Sequence, residues 1–159
     1  MKYAIVYSSK TGNTALLANT IRETLPAADC LYCGVPSAQA LEAERIYVGF
    51  WTDKGTCDGE TAAFLGQITN QQVFLFGTAG FGGAPAYFEK ILNAAQENLS
   101  DSAQVVGRYM CQGKMPMGVR RRYEAMEESP NRQVMLDNFD RALSHPDQQD
   151  LEALKNDIS

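Results

Sequence analysis

Five apolar runs alternate along the chain with segments whose apolar residues recur at helical spacing. The runs predict buried strands at residues 3–7, 29–33, 45–50, 72–78 and 104–110. Helical spacing follows four of them, at residues 14–25, 61–68, 85–98 and 131–144. This alternation predicts an α/β fold built on a doubly wound, five-stranded parallel sheet. Right-handed crossovers favour the strand order 2-1-3-4-5, in which a ligand binds at the carboxyl edge beside strand 1.

The loop between the first strand and the first helix is rich in hydroxyl groups and contains a single glycine. It consists of Ser8, Ser9, Lys10, Thr11, Gly12, Asn13 and Thr14. A helix N-terminus offers free backbone N–H groups and partial positive charge, and hydroxyl groups can donate further hydrogen bonds. The loop therefore predicts a site for a terminal phosphate group. The alternative is an ordinary helix cap made by Asn13 or Thr14.

The loops after the third and fourth strands should meet this first loop at the same sheet edge. Their candidate residues are Trp51, Thr52, Asp53 and Gly55 in one loop, and Thr78, Ala79, Gly80 and Phe81 in the other. A flat conjugated ring fits between aromatic side chains, and its polar edge can bond to backbone groups of glycine-rich loops. Alternatively, Trp51 covers a sheet edge and Phe81 packs inward as an anchor of its own loop.

The sequence SKTGNT at residues 9–14, directly after a first strand, resembles the FMN-phosphate loop of flavodoxins, [ST]-x-T-G-x-T. The resemblance extends over essentially the whole chain and implies that FMN is the cofactor, with residues 8–14 around its phosphate. The implied flavin contacts are Trp51, Thr52 and Asp53 on one face of the ring, and Thr78, Ala79, Gly80 and Phe81 on the other side and the polar edge. Gly55 is the candidate for a glycine whose peptide can turn its carbonyl toward flavin N5.

Two features depart from the flavodoxin pattern. Lys10 stands where a small hydroxyl residue is usual, which could add positive charge to the site. The loop after the fourth strand lacks the usual acidic residue and the usual tyrosine. The second aromatic partner of the flavin is therefore not identified by the sequence.

Composition restricts the partners that the chain can have. A length of 159 residues favours a single domain spanning residues 1–159. No apolar run approaches the length of a membrane span and no signal-peptide pattern opens the chain, so we expect a cytoplasmic protein that does not contact membranes. A net charge of −5 argues against nucleic-acid binding and favours a partner with a basic face.

The cysteines and the histidine offer little catalytic chemistry. Cys30 and Cys33 have the C-x-x-C spacing of redox and zinc motifs, but they fall in a predicted strand without a second pair, which favours a structural role. His145 is the only histidine, so a site with several histidine ligands is excluded and no metal is expected. We expect its side chain to be solvated, ahead of a short polar helix or a fraying tail.

These features favour an electron carrier over an enzyme. We expect a monomeric, FMN-binding protein that passes electrons from an upstream reductase to a downstream acceptor enzyme. The alternative is an FMN-dependent NAD(P)H oxidoreductase acting on quinones or another small acceptor, although Trp51 stacked on the flavin would block the nicotinamide. The Met-rich segment 114–128, with Arg120, Arg121 and Arg122, is either a solvated helix face or a docking surface.

Overall fold

Five parallel strands form the sheet at the centre of the molecule. The computed structural model describes residues 1–82 and 84–158, and its strands are β1 (Tyr3–Tyr7), β2 (Cys30–Gly34), β3 (Arg45–Asp53), β4 (Thr56–Cys57), β5 (Gln72–Ala79) and β6 (Gln104–Gln112). The parallel strands are ordered β2-β1-β3-β5-β6, and the two-residue strand β4 pairs with β3 in the antiparallel direction. The predicted order 2-1-3-4-5 is confirmed, because β4 only folds back on β3 and the predicted strands 4 and 5 are β5 and β6.

Helices cover both faces of the sheet. They are α1 (Asn13–Thr24), α2 (Gly59–Leu65), α3 (Pro85–Gln96), α4 (Met117–Glu124), α5 (Pro130–Ala142) and α6 (Gln148–Ile158). One hydrophobic core lies between the sheet and α2 and α3, and a second lies between the sheet and α1 and α6. Across residues 1–82 and 84–158, no helix is both long and apolar enough to cross a membrane.

Phenylalanine rings lie over glycines of the neighbouring strand where β3 and β5 pair. Gly49 is opposite Phe76, and Gly77 is opposite Phe50. A Cβ atom would come within 2.3 Å of the Phe76 ring at Gly49 and within 2.4 Å of the Phe50 ring at Gly77. Glycine is therefore required at both positions by the close approach of the ring.

The C-terminal segment contains the histidine that was expected to be solvated. Nδ1 of His145 lies 2.6 Å from Oδ2 of Asp150, which also accepts a hydrogen bond from the backbone N–H of Asp147. These contacts fix the start of α6, which packs on α1 and buries Leu154 and Ile158. The side chain of His145 is 27% exposed and thus partly solvated, but its ring is held by Asp150, a contact that the sequence does not reveal.

Candidate functional site

The loops after β1, β3 and β5 meet at the carboxyl edge of the sheet, where they enclose part of a cavity of about 170 Å³. Nine of the residues singled out from the sequence line it: Lys10, Thr11, Asn13, Thr14, Trp51, Thr52, Thr78, Ala79 and Gly80. The remaining lining residues are Gly113, Lys114, Met115, Pro116 and Val119. Three loops distant in sequence therefore come together as predicted, and a fourth segment, after β6, joins them.

The loop before α1 leaves backbone donors free at the helix N-terminus. The hydroxyl oxygen of Ser9 accepts hydrogen bonds from the N–H groups of Gly12 (3.1 Å) and Ala15 (3.3 Å), which fixes the shape of the loop. Gly12 has a left-handed φ of 91°, and no atom lies within 4 Å of where its Cβ would be. Within the described residues, no acceptor is recorded for the backbone N–H groups of Lys10, Thr11, Asn13 and Thr14. This arrangement suits an anion with several oxygen atoms.

Three threonine hydroxyls form the floor of the cavity. Thr14 is almost fully buried and donates to the carbonyl of Phe50 at 3.0 Å. Its single proton is thereby used, so the 3.2 Å contact with Thr78 Oγ1 is a hydrogen bond donated by Thr78. Thr52 donates to the carbonyl of Thr78 at 2.8 Å. Together these bonds fasten the start of α1 to the ends of β3 and β5.

Trp51 forms one wall of the cavity from the end of β3. Its side chain is half-buried, and Nζ of Lys10 lies 4.9 Å from the centre of the indole ring. This distance is within the range of a cation–π interaction. The side chain of Lys10 therefore lies on an aromatic face that is flat and wide enough to stack against a conjugated ring.

The loop expected after the third strand is a tight hairpin between β3 and β4. Lys54 and Gly55 have φ angles of 53° and 84°, and Asp53 pairs with Thr56. Two consecutive residues with positive φ are typical of a type I′ turn. Asp53 and Gly55 do not line the cavity, although they follow directly from Trp51 and Thr52, which do.

Four other predicted residues, Ser8, Ser9, Gly12 and Phe81, also lie outside the cavity lining. The Ser8 hydroxyl donates to a carboxylate oxygen of Glu60 at 3.3 Å, below the loop. Ser9 and Gly12 contribute through the loop conformation described above. Phe81 is 40% exposed on the loop after β5, so it is not a buried anchor of that loop. Gly83, which adds to the glycine-rich character of the same loop, lies outside the described residues.

The segment after β6 lines the cavity and was missed as part of the site. Asn13 Nδ2 donates to the carbonyl of Lys114 at 2.8 Å, and the N–H of Lys114 donates to the carbonyl of His145 at 3.0 Å. The side chain of Met115 packs so closely on Gly80 that a Cβ there would lie 2.6 Å away. Gly113, directly after a strand, was the one feature of the sequence that could have indicated this segment. A glycine at such a position often marks a close approach of a ligand or of another backbone.

The loop after β5 is held from behind by α5. The carbonyl of Gly80 accepts hydrogen bonds from Nε2 of Gln112 (2.9 Å) and Nδ2 of Asn138 (3.1 Å). Gln112 also donates to Oδ1 of Asn138 at 3.0 Å. These bonds occupy the carbonyl of Gly80, and they also fix the position of the loop at the cavity.

The electrostatics of the cavity favour an anionic ligand. Lys10 and Lys114 are the charged residues of its lining, which contains no carboxylate among the described residues. Burial raises the pKa of the Cys111 thiol far above its usual range and also raises the pKa of Cys57. Both cysteines stay protonated at neutral pH, and neither is an activated nucleophile.

Arg120 is less available than the sequence suggests. Its guanidinium group donates to both carboxylate oxygens of Asp140, at 3.0 and 3.1 Å, and lies 3.2 Å from Glu124. The hydrogen bond with Arg120 lowers the pKa of Asp140 below its usual range. Arg120 thus joins α4 to α5, whereas the docking surface at Arg120, Arg121 and Arg122 stays a prediction.

Comparison with known proteins agrees with this geometry. A family model described as a flavodoxin domain matches residues 4–159. A flavodoxin-like domain-containing protein, BilS, from Clostridium symbiosum (strain WAL-14163) is 43% identical over 177 residues, which cover 98% of this chain and 93% of the relative.

Solved structures share the fold at low sequence identity. Oxidised flavodoxin 2 from Bacillus cereus has a TM-score of 0.63 at 20% identity, covering 98% of this chain and 94% of that one. A flavoprotein from Lactobacillus acidophilus NCFM, solved in complex with FMN, has a TM-score of 0.54 at 16% identity, covering 69% of this chain and 93% of that one. At these identities the likeness concerns the fold.

Proposed function

Because the chain belongs to the flavodoxin-domain family, we propose that it binds FMN in this cavity and carries electrons from an upstream reductase to a downstream acceptor enzyme. The main support for the proposal is that the residues with free N–H groups at the start of α1 line the same cavity as Trp51. Phosphate donors and a ring-stacking surface are thus joined in one site. We also propose that the protein acts in the cytoplasm as a monomer.

The residues present fit FMN. The phosphate group would be held by the N–H groups of the loop before α1 and by the hydroxyl group of Thr11, which would have to leave the carbonyl of Lys114, 3.5 Å away. The ring would stack on Trp51, which requires the exposed side chain of Lys10 to leave the indole face. The cavity of about 170 Å³ is smaller than the roughly 300–1,000 Å³ of most ligand pockets. A shift of Lys10 would enlarge it and bring a positive charge toward the phosphate.

The protein contributes binding and shielding, whereas FMN supplies reversible uptake and release of electrons when it is bound. Met115 and Pro116 line the cavity and would reduce the access of water to a bound ligand. Among the described lining residues there is no histidine, carboxylate or cysteine that could act as an acid, a base or a nucleophile. The FMN held by the Lactobacillus acidophilus flavoprotein, which has the same fold, supports the choice of cofactor.

The cover over the cavity favours a carrier over the alternative, an NAD(P)H oxidoreductase. A nicotinamide must lie flat on the flavin to donate hydride. Trp51 stands on one side of the cavity, and the segment from Gly113 to Pro116 closes another. Electrons can pass through such a cover to a partner protein, whereas a second planar ligand would have to displace it.

Absorbance spectroscopy and a turnover assay test this proposal together. We expect the purified protein to bind FMN at one equivalent, with perturbed visible bands and quenched flavin fluorescence. We expect the holoprotein to accept electrons on photoreduction but not to oxidise NADH or NADPH in the presence of a quinone. Failure to bind added FMN would contradict the phosphate site, and rapid NAD(P)H-dependent quinone reduction would establish the oxidoreductase instead.

A further inference from the structure

The outer face of α4, together with Lys114 three residues before the helix, combines positive charge with an exposed apolar side chain. We define the α4 surface as Lys114, Met117, Arg121 and Arg122, all of which are exposed. Met117 is 51% exposed, an unusual state for a methionine. Across the described residues, Arg121 and Arg122 form no salt bridge. This cluster therefore contrasts with a chain whose net charge is −5.

The geometry of α4 separates this surface from the anchored side of the helix. Met117 and Arg121 are four residues apart, so they lie on the same face. Val119 lines the cavity, and Arg120 is tied to Asp140 on α5. The helix is thus attached through two of its sides, and Met117 and Arg121 face outward.

Acidic residues do not cancel the charge of the α4 surface. Glu124 lies three residues after Arg121 and is exposed, but its carboxylate is paired with Arg120. Glu127 and Glu128 come after the last residue of α4. The helix contains no buried residue, so most of its surface is exposed and accessible to a partner protein.

The α4 surface lies next to the proposed cofactor site. Lys114 belongs to both the surface and the cavity lining, and Val119 contacts the cavity from the inner side of the same helix. The outer and inner sides of a helix are separated by about 10–12 Å. A protein docked on the α4 surface would therefore come close to a ligand in the cavity without entering it.

From these observations we propose that the α4 surface is the docking site for a redox partner protein that presents carboxylates around an apolar centre. This inference rests on the proposed function and specifies the partner of the same site. It reverses the expectation, drawn from net charge, that the partner has a basic face. Local charge near the point of contact governs encounter and orientation more strongly than distant charge, which salt screens.

The sign of the charge near the site can be probed with two small oxidants, one anionic and one cationic. The FMN-loaded protein is photoreduced, and its reoxidation is followed with ferricyanide, a trianion, and with tris(phenanthroline)cobalt(III), a trication. Each oxidant ion accepts one electron from the reduced flavin. We expect the rate constant with ferricyanide to fall as ionic strength rises, and the rate constant with the cobalt complex to rise.

A charge-reversal variant and a matched control test the assignment to α4. In R121E/R122E we expect ferricyanide to react about tenfold more slowly at low ionic strength, with FMN affinity unchanged. The control K2E/K90E changes the net charge equally, with Lys2 before β1 at the opposite sheet edge and Lys90 on α3. At about 0.1 M ionic strength, where charges more than about 10 Å apart are largely screened, it should leave the rate constant within about twofold of wild type, whereas R121E/R122E should still react more slowly.

Two outcomes would contradict the inference about the α4 surface alone, and a third would also contradict the proposed function. A wild-type rate constant with ferricyanide that rises with salt would show that net charge governs the site and would overturn the inference. Equal losses in R121E/R122E and K2E/K90E would overturn it as well. A protein that shows no flavin absorbance after loading with FMN would overturn the proposed function and, with it, this inference.

Discussion

Replacement of Gly77 with alanine should lower the free energy of unfolding by about 2–3 kcal/mol, near the upper end of the usual cost of overpacking a core. The added Cβ would lie 2.4 Å from the ring of Phe50, which is fully buried between β3 and the helices. Backbone pairing of β3 with β5 fixes both residues, so the strain must be relieved by moving the ring. Urea unfolding followed by circular dichroism would measure the change.

A second glycine and a double variant make this prediction specific. Gly59, at the start of α2, has no atom within 4 Å of its Cβ position, so G59A should not destabilise the protein. Shortening the ring in G77A/F50L should recover part of the loss, because the two side chains compete for one space. An unchanged urea midpoint for G77A would contradict the close approach of Phe50.

Replacement of Asn13 with aspartate should weaken FMN binding by about 2–3 kcal/mol, or roughly 30–150-fold. Asn13 is the first residue of α1, and its side chain is buried against Gly113 and the carbonyl of Lys114. A carboxylate there would place a negative charge beside the proposed phosphate site. Isothermal titration calorimetry with FMN at low ionic strength would measure the loss.

Two comparisons separate charge repulsion from loss of the hydrogen bond. N13A removes the bond to Lys114 without adding charge, so its affinity for FMN should lie between those of the wild type and N13D. Riboflavin has the same ring without the phosphate, and it should bind N13A and N13D equally. If FMN also binds both variants equally, the phosphate does not lie at the start of α1.

The sheet and the three loops that meet at the cavity were predictable because they depend on strong, local patterns. The strands at residues 45–50 and 72–78 are almost continuously apolar, as parallel strands covered on both faces must be. Once their order follows from right-handed crossovers, the carboxyl ends must meet at one edge. Thr14, Trp51 and Gly80 were therefore brought together by topology alone.

The fourth segment around the cavity, after β6, could not be predicted in this way. The segment from Gly113 to Pro116 has no periodicity, and its position depends on bonds to Asn13 and His145, each far away in sequence. Met115 was grouped with a surface segment because a methionine beside arginines is equally compatible with exposure and with packing on a glycine. Only the tertiary contact with Gly80 decides between the two.

If the protein carries electrons as proposed, the hydrogen-bonded hydroxyls of Thr14, Thr78 and Thr52 would affect the speed of electron exchange. It joins a helix and two strands below the cavity through groups that carry no charge and have no free rotor. Dipoles that are fixed by folding do not have to reorient when the charge above them changes. For an electron carrier, the nuclear rearrangement that accompanies each transfer is then confined mainly to the ligand and the solvent at the rim, which keeps the barrier low.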